Sequence, residues 1–262
     1  MYGGATVTLA KRYNKLLKSR LLHFAAWNPV TDGYAVGDFG GFKGGVFQRL
    51  GNIAEFGVDP GARPGVSTTK FNFTSSGAKI VRTAAGVAVD VFPEGSVEAK
   101  LEIDFSGEDG FYIRTGELSV TEMESVDAVA QQLKGRRDAN GRRWKLRWRV
   151  VRKVYVAVNP AILASAEQSV GFTLVGKADA LRALELGSAS AEISASSTRQ
   201  DAVQIVGGTG PVAIDLFSVR VIGGGASLEG VDAEPMIIDA DLDTDWPDEP
   251  KDDEEDHEDA FE

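Results

Sequence analysis

The chain has 262 residues, 43% of them hydrophobic, no cysteine and a formal net charge of −11. That length buries a full core as one large domain or two small ones, and the absence of cysteine excludes disulfides, thiolate metal sites and a cysteine nucleophile, as suits a reducing compartment. The charge is lopsided: residues 239–262 hold 14 of the 39 Asp and Glu but one of the 28 Lys and Arg, leaving 25 acidic and 27 basic residues in the body.

The first predicted element is a helix over TLAKRYNKLLKSRLLHF. Leu9, Tyr13, Leu16, Leu17, Leu21 and Phe24 recur at helical spacing, Lys11, Arg12, Lys15 and Lys18 take the other face, and Thr6 or Thr8 can cap it. Such a helix packs on a sheet, and its basic face can also touch anionic lipid. Residues 28–66, rich in glycine and proline but with recurring aromatics, predict short strands and turns. From about residue 68 the period becomes two, with Ser-Gly and Ala-Gly as turn points. Val97, Ala99, Leu101, Ile103 and Phe105 alternate with Glu98, Lys100, Glu102 and Asp104, the pattern of a half-buried antiparallel strand. GFYIRTGEL is expected to follow it across a turn at Gly107 to Gly110.

TEMESVDAVAQQL reads as a helix with a capping box of Thr121 and Glu124. RRWKLRWRVVRK, residues 142–153, then carries seven basic residues in twelve. Trp144, Leu146, Trp148 and Val150 share one parity, which predicts one long strand continuing into VRKVYVAV. Asn159-Pro160 suggests a short helical turn, QSVGFTLVG a strand, KADALRALELG a helix closed by Gly187, and residues 188–222 two or three further strands. The fold class expected is α+β: a long, twisted, mainly antiparallel sheet with a few packed helices. The apolar segment Val154–Ala166 is too short for a spanning helix, which needs roughly 20 residues. Lys11 to Arg20 interrupts any signal-peptide pattern, so the chain is expected to be soluble as synthesised.

No catalytic constellation emerges. The two histidines, His23 and His257, lie in the first predicted helix and in the acidic tail, and no serine motif accompanies His23. The glycine-rich GGFKGG, VGGTG and IGGGAS match neither a phosphate loop nor a dinucleotide fingerprint, and read as strand ends and turns. The expectation is a non-enzymatic protein with no cofactor and no metal. What remains is electrostatics: residues 134–153 hold ten basic residues and one acid, Asp138. This stretch fits a solvated, charge-protected sheet edge. It also fits an anionic membrane surface with interfacial tryptophans, or nucleic acid stacked on Trp144 and Trp148. A tethered acidic tail can fold back on such a patch.

Together AKRYNKLLKSRLLHF, FQRLGNIAEFGV, FNFTSSGAKIVRTAAGVAVDV, WRVVRKVYVAVNPAILASAEQSVGF and SAEISASSTRQDAVQIVGGTGPVAIDLFSVRV resemble, in order and spacing, a gasdermin of the short bacterial type. The resemblance implies a pore-forming domain over residues 1–222 and a C-terminal inhibitory segment over 223–262 with a disordered or docked acidic tail. It implies a cytoplasmic monomer, cut by a protease, that assembles as a ring on the inner (plasma) membrane and inserts β-hairpins as a barrel, causing cell death in antiphage defence. Lys11, Arg12, Lys15, Lys18, Arg142, Arg143, Lys145, Arg147 and Arg149 are the candidate lipid contacts. Asp245 is the candidate cleavage point for a caspase-like protease, and Arg220 or Lys251 would suit a trypsin-like one. The lipid-modified cysteine common near the N-terminus of bacterial members has no counterpart here, nor does a large repressor domain. The alternative is a nucleic-acid-binding β-rich module whose acidic tail mimics the polyanion.

Overall fold

The computed structural model describes residues 3–229 except 28, 67–70, 108–109, 117, 134–135, 138–140, 142, 146, 191, 200–201 and 223–224, with the backbone path alone for 3–8, 20–21 and 220–229. Helix α1 spans Gly3–Leu21. Leu9, Tyr13 and Leu17 are buried along one stripe, and Lys11, Lys15 and Lys18 stay exposed, as i, i+4 spacing requires. Because the helix starts at Gly3, Thr6 and Thr8 lie inside it and not at its N-cap position. Leu22, at φ 60, ends it, so His23 and Phe24 fall beyond the helix, leading into β1 (Phe24–Ala25).

The glycine-rich region forms β2 (Asp38–Lys43), β3 (Val46–Asn52), a 3-10 turn over Ile53–Phe56 and β4 (Ala62–Pro64). Then come β5 (Asn72–Thr74), β6 (Ala78–Ala84), β7 (Val87–Val89) and β8 (Glu98–Phe105). Ala85 and Gly86, at φ 50 and 78, join β6 to β7, the two left-handed residues that a tight hairpin needs. Strands β9 (Gly110–Arg114) and β10 (Leu118–Met123) precede helix α2 (Val126–Leu133). Thr121 lies inside β10, so the predicted capping box does not form; Ser125 Oγ accepts from Ala128 N at 3.3 Å instead.

The predicted long strand from Trp144 begins only at Arg149, as β11 (Arg149–Val158). Asn159-Pro160 leads not to a helical turn but to β12 (Ala161–Ser165), with Asn159 at φ 50. The rest follows the pattern read from sequence: β13 (Val170–Lys177), α3 (Ala178–Glu185), β14 (Ser194–Ser197), β15 (Val203–Val206) and β16 (Thr209–Ile222). A further strand, β17 (Gly225–Glu229), falls in the stretch for which no strand is expected.

The fold is α+β and mainly antiparallel, as expected, with its strands divided among three sheets. The largest runs β1-β16-β11-β10-β4, with β17 on β16 and the β2–β3 hairpin on β11. A second has the order β15-β12-β9-β5 and a third β14-β13-β8-β6-β7. Strand β9 therefore does not pair with β8. Its residues Gly110 to Ile113 are buried on both parities, which suits an inner strand covered on each face better than a hairpin with a wet side. All described strand pairs are antiparallel, and they lie in one compact unit, Met1–Gly230.

Candidate functional site

The basic stretch divides in two. At its end, Lys153 Nζ lies 2.9 Å from Glu122 Oε2 and Arg152 lies 3.7 Å from Asp215, both within the sheet. The Lys153 and Arg63 partners hold the Glu122 carboxyl below its ordinary range. Upstream, Arg143, Lys145 and Arg147 are exposed and, among the described residues, in no ion pair. Arg149 is half-buried at the start of β11, and its guanidinium donates to the Arg147 and Trp148 carbonyls. Arg142 lies outside the described residues. The structure adds Arg136, which donates to Gly57 O at 3.3 Å, and Arg137, which donates to Gly141 O at 2.9 Å. Both belong to the charged run read from sequence but were not among the candidate contacts.

The tryptophans correct the nucleic-acid reading. Trp148 is 5% exposed, its ring 4.8 Å from Phe39 and 5.3 Å from Trp144. Trp144 is half-buried, 5.5 Å from both Phe39 and Phe56. These four rings pack as core beneath the basic segment, so neither tryptophan is a platform on which bases stack. Lys145 Nζ sits 5.8 Å over the Trp148 ring from outside.

On α1, Lys11 and Lys15 are exposed, whereas Arg12 is half-buried and donates to Ala166 O at 3.1 Å. Lys18 lies 5.2 Å over the Phe24 ring, and partial burial lowers its pKa. Asn14 ties this helix to its surroundings: Nδ2 donates to Gly45 O at 3.0 Å and Oδ1 accepts from Ala25 N at 2.7 Å. Gly45, at φ 76, allows the β2–β3 turn to lie directly against Lys11, where a Cβ would come within 2.7 Å of its side chain. That turn presents Phe42, 39% exposed and 5.3 Å from Phe24, and exposed Lys43. GGFKGG, read from sequence as a strand end and turn, is both. At the other end of this hairpin, Gly40 and Phe39 pair with Arg149 and Val150. The two basic groups are thus separate, one near each end of a hairpin on the order of 15 Å long.

The third sheet is two-faced across its strands. Ile80, Ile103 and Phe172 align across β6, β8 and β13, as do Ala84, Ala99 and Gly176. On the opposite face Lys79 aligns with Asp104, Val81 with Glu102, Thr173 and Ser196, and Thr83 with Lys100. The apolar face packs under α3 through Ala178, Leu181 and Leu184, and against Tyr112, Ala161 and Leu163 of the second sheet. Val97, counted on the apolar face from its parity, lies before β8 and is 40% exposed.

His23 acquires a partner that sequence did not reveal. Its Nδ1 lies 2.6 Å from Asp215 Oδ1, and Tyr155 Oη donates to Asp215 Oδ2 at 3.1 Å. Burial and the adjacent Asp215 push the Tyr155 hydroxyl well above its ordinary pKa. The cluster joins the end of α1 to β11 and β16. Among the described residues no group of carboxylates and histidines is arranged to hold a metal, and no helix is long and apolar enough to cross a membrane. Asp245 and the whole acidic tail lie outside the described residues.

No family model and no curated protein matches the chain. Among solved structures it is similar to one described as the cryo-EM structure of the Gasdermin A3 membrane pore. The identity is 11%, covering 89% of this chain and 97% of that chain, at a TM-score of 0.30.

Proposed function

We propose that this chain is an autoinhibited pore-forming protein of gasdermin type. The observation that carries the reading is the two-faced third sheet: β6, β8 and β13, three adjacent strands with one apolar and one polar surface, are the raw material of a barrel wall, one side to lipid and the other to water. In a bilayer such strands must close on themselves, because every backbone donor and acceptor needs a partner. Strands β8 and β13 have eight residues each, against about 9–11 for a spanning strand. Lengthening by a few residues brings them to span.

The exposed cations supply the attraction to anionic lipid, roughly 1 kcal/mol for each Lys or Arg near the surface. Lys11, Lys15, Lys18 and Lys43 act from the α1 side with Phe42. Arg143, Lys145, Arg147 and their neighbours act from the far end of the hairpin, with Arg12 and Arg149 in supporting positions. Segment 223–262 restrains the body, its acidic tail meeting these cations until a protease removes it. Exposed pairs contribute about 0–1 kcal/mol each, so this restraint is salt-sensitive and reversible. A caspase-like enzyme cutting after Asp245 removes the densest part of the tail, and a trypsin-like one would use Arg220 or Lys251. The protein is a cytoplasmic monomer before the cut and a ring in the inner (plasma) membrane after it, where permeabilisation kills the cell in antiphage defence.

The test is dye release from vesicles of phosphatidylethanolamine and phosphatidylglycerol, using full-length chain with a protease recognition sequence inserted after Gly223. Release is expected only after cutting. Equal inactivity before and after overturns the reading, and salt-dependent binding of DNA by the cut chain without release would favour a nucleic-acid module instead.

A further inference from the structure

One charge sits on the wrong face of the third sheet. Arg82 of β6 aligns with Leu101 of β8, and Leu101 with Leu174 of β13, so its backbone position belongs to the apolar row. Its Nε and Nη2 both donate to Glu185 Oε1, at 2.9 and 2.6 Å. The two side chains are only 27% and 18% exposed. Glu185 is the last residue of α3, the helix that lies on this apolar face through Leu181 and Leu184. The hydroxyl of Tyr112, on β9, is buried close enough to feel both charges, and burial raises its pKa to about 12.

At its other end, α3 is held by hydrogen bonds to the segment before β8. Ala178 N donates to Val97 O at 2.9 Å, and Gly95 N donates to Asp179 Oδ1 at 2.8 Å. Arg182 adds an ion pair to Glu94, which is 83% exposed, and exposed pairs of this kind hold little. A helix of eight residues has almost no stability of its own. Its persistence depends on Leu181, Leu184 and what fixes its two ends. Among the described residues, the partly buried Arg82–Glu185 pair is the one ionic tie that grips the C-terminal end and spans from the helix to a strand beneath it.

We propose that Arg82 and Glu185 form a releasable clasp that keeps α3 over its share of the apolar face of β6, β8 and β13, and that opening the clasp uncovers that share for lipid. The proposal rests on the pore-forming reading for its purpose, though not for its geometry. Arg82 is three residues before the Ala85-Gly86 turn, near the end of its strand. There an arginine facing lipid reaches the interface, where it is tolerated far better than at the bilayer centre. The same residue is therefore neutralised by Glu185 while α3 is docked and by the headgroup layer once α3 has left. Removing one partner strands the other charge against an apolar surface, whereas replacing both restores a matched contact.

Amide hydrogen exchange of the full-length chain tests the clasp. In Glu185→Gln and in Arg82→Met, amides of Ala178–Glu185 are expected to exchange at least about tenfold faster, with Leu101, Ile103 and Phe172 unchanged. The double variant Arg82→Met with Glu185→Leu is expected to return to within about threefold of the parent. An unchanged α3, or equal acceleration across α3, β8 and β13, overturns the proposal. Dye release from phosphatidylethanolamine–phosphatidylglycerol vesicles, triggered by cutting after Gly223, then separates the two readings. A shorter lag in both single variants and a parental or longer lag in the double supports the clasp as a gate. Identical lags in all four chains reject it as a gate while pore formation stands. Faster exchange in the single variants with no release from any chain, parent included, rejects the pore and leaves the clasp intact.

Discussion

Strands β11 and β16 of the largest sheet and strands β6, β8 and β13 of the third obey different rules. From Gly210 to Val219 every residue of β16 is buried, on both parities, and β11 is buried at Val150, Val151, Val154, Tyr155 and Ala157. Strand β8 instead alternates strictly, with Ala99, Leu101, Ile103 and Phe105 inside and charged residues between them. The first pair is scaffold: a sheet covered on both faces has no surface to offer lipid or water. The second has a solvated face and a face packed partly under a short helix and partly against Tyr112, Ala161 and Leu163 of the second sheet, so only the share under the helix can be exchanged for a bilayer without rebuilding the core.

The sharpest way to break this comparison is to truncate one residue of each kind. Phe217→Ala, at a side chain 1% exposed, should destabilise by about 3–5 kcal/mol and lower the melting temperature by roughly 10 °C. Thr173→Ala on the wet face of β13 should stay within about 0.5 kcal/mol. Comparable losses would mean that the third sheet is as enclosed as the first. Next in size is Gly187→Ala, which follows α3 at φ 97 and would bring a Cβ to 2.4 Å from the Thr115 carbonyl carbon. Strain and collision together should cost about 2 kcal/mol or more, read as a lower midpoint in urea.

Asp215→Ala comes third. It leaves His23 and Tyr155 without their acceptor and should cost about 1.5–3 kcal/mol, with exchange rising first at residues 24–25 of β1 if the cluster anchors the end of α1. The smallest effect belongs to Glu122. Its carboxyl is held below its ordinary range by Lys153 and Arg63, so its contribution is present above the unfolded-state pKa and fades as pH falls through the lower folded one. Glu122→Gln should therefore lose less stability than the parent on acidification through that window, by a few tenths of a kcal/mol at most because the pair is near solvent. A parallel pair of melting curves against pH would show Glu122 to be idle.

Much of this was readable residue by residue. The amphipathy of α1, the Ser-Gly and Ala-Gly turns, the alternation of β8 and the closure of α3 by Gly187 are local patterns, set by spacing and turn chemistry within a few residues. Where the reading failed, a distant partner decided. Trp144 and Trp148 look like exposed interfacial residues among their arginines, yet Phe39 and Phe56, some hundred positions away, draw them into the core. Thr121 has a capping-box spacing, but pairing with Val154 in the sheet claims it for β10 and leaves Ser125 to start the helix.

The sequence by itself determined the period of each element and where charge accumulates, because side-chain alternation and helical spacing are properties of short stretches. Only tertiary structure decided which sheet each strand joins, which of the clustered cations already have a carboxylate, and that Arg82 meets Glu185 across 103 positions. Those outcomes depend on desolvation and on contacts between chain segments far apart. The same arginine is exposed or paired, tolerated or costly, according to what folds over it.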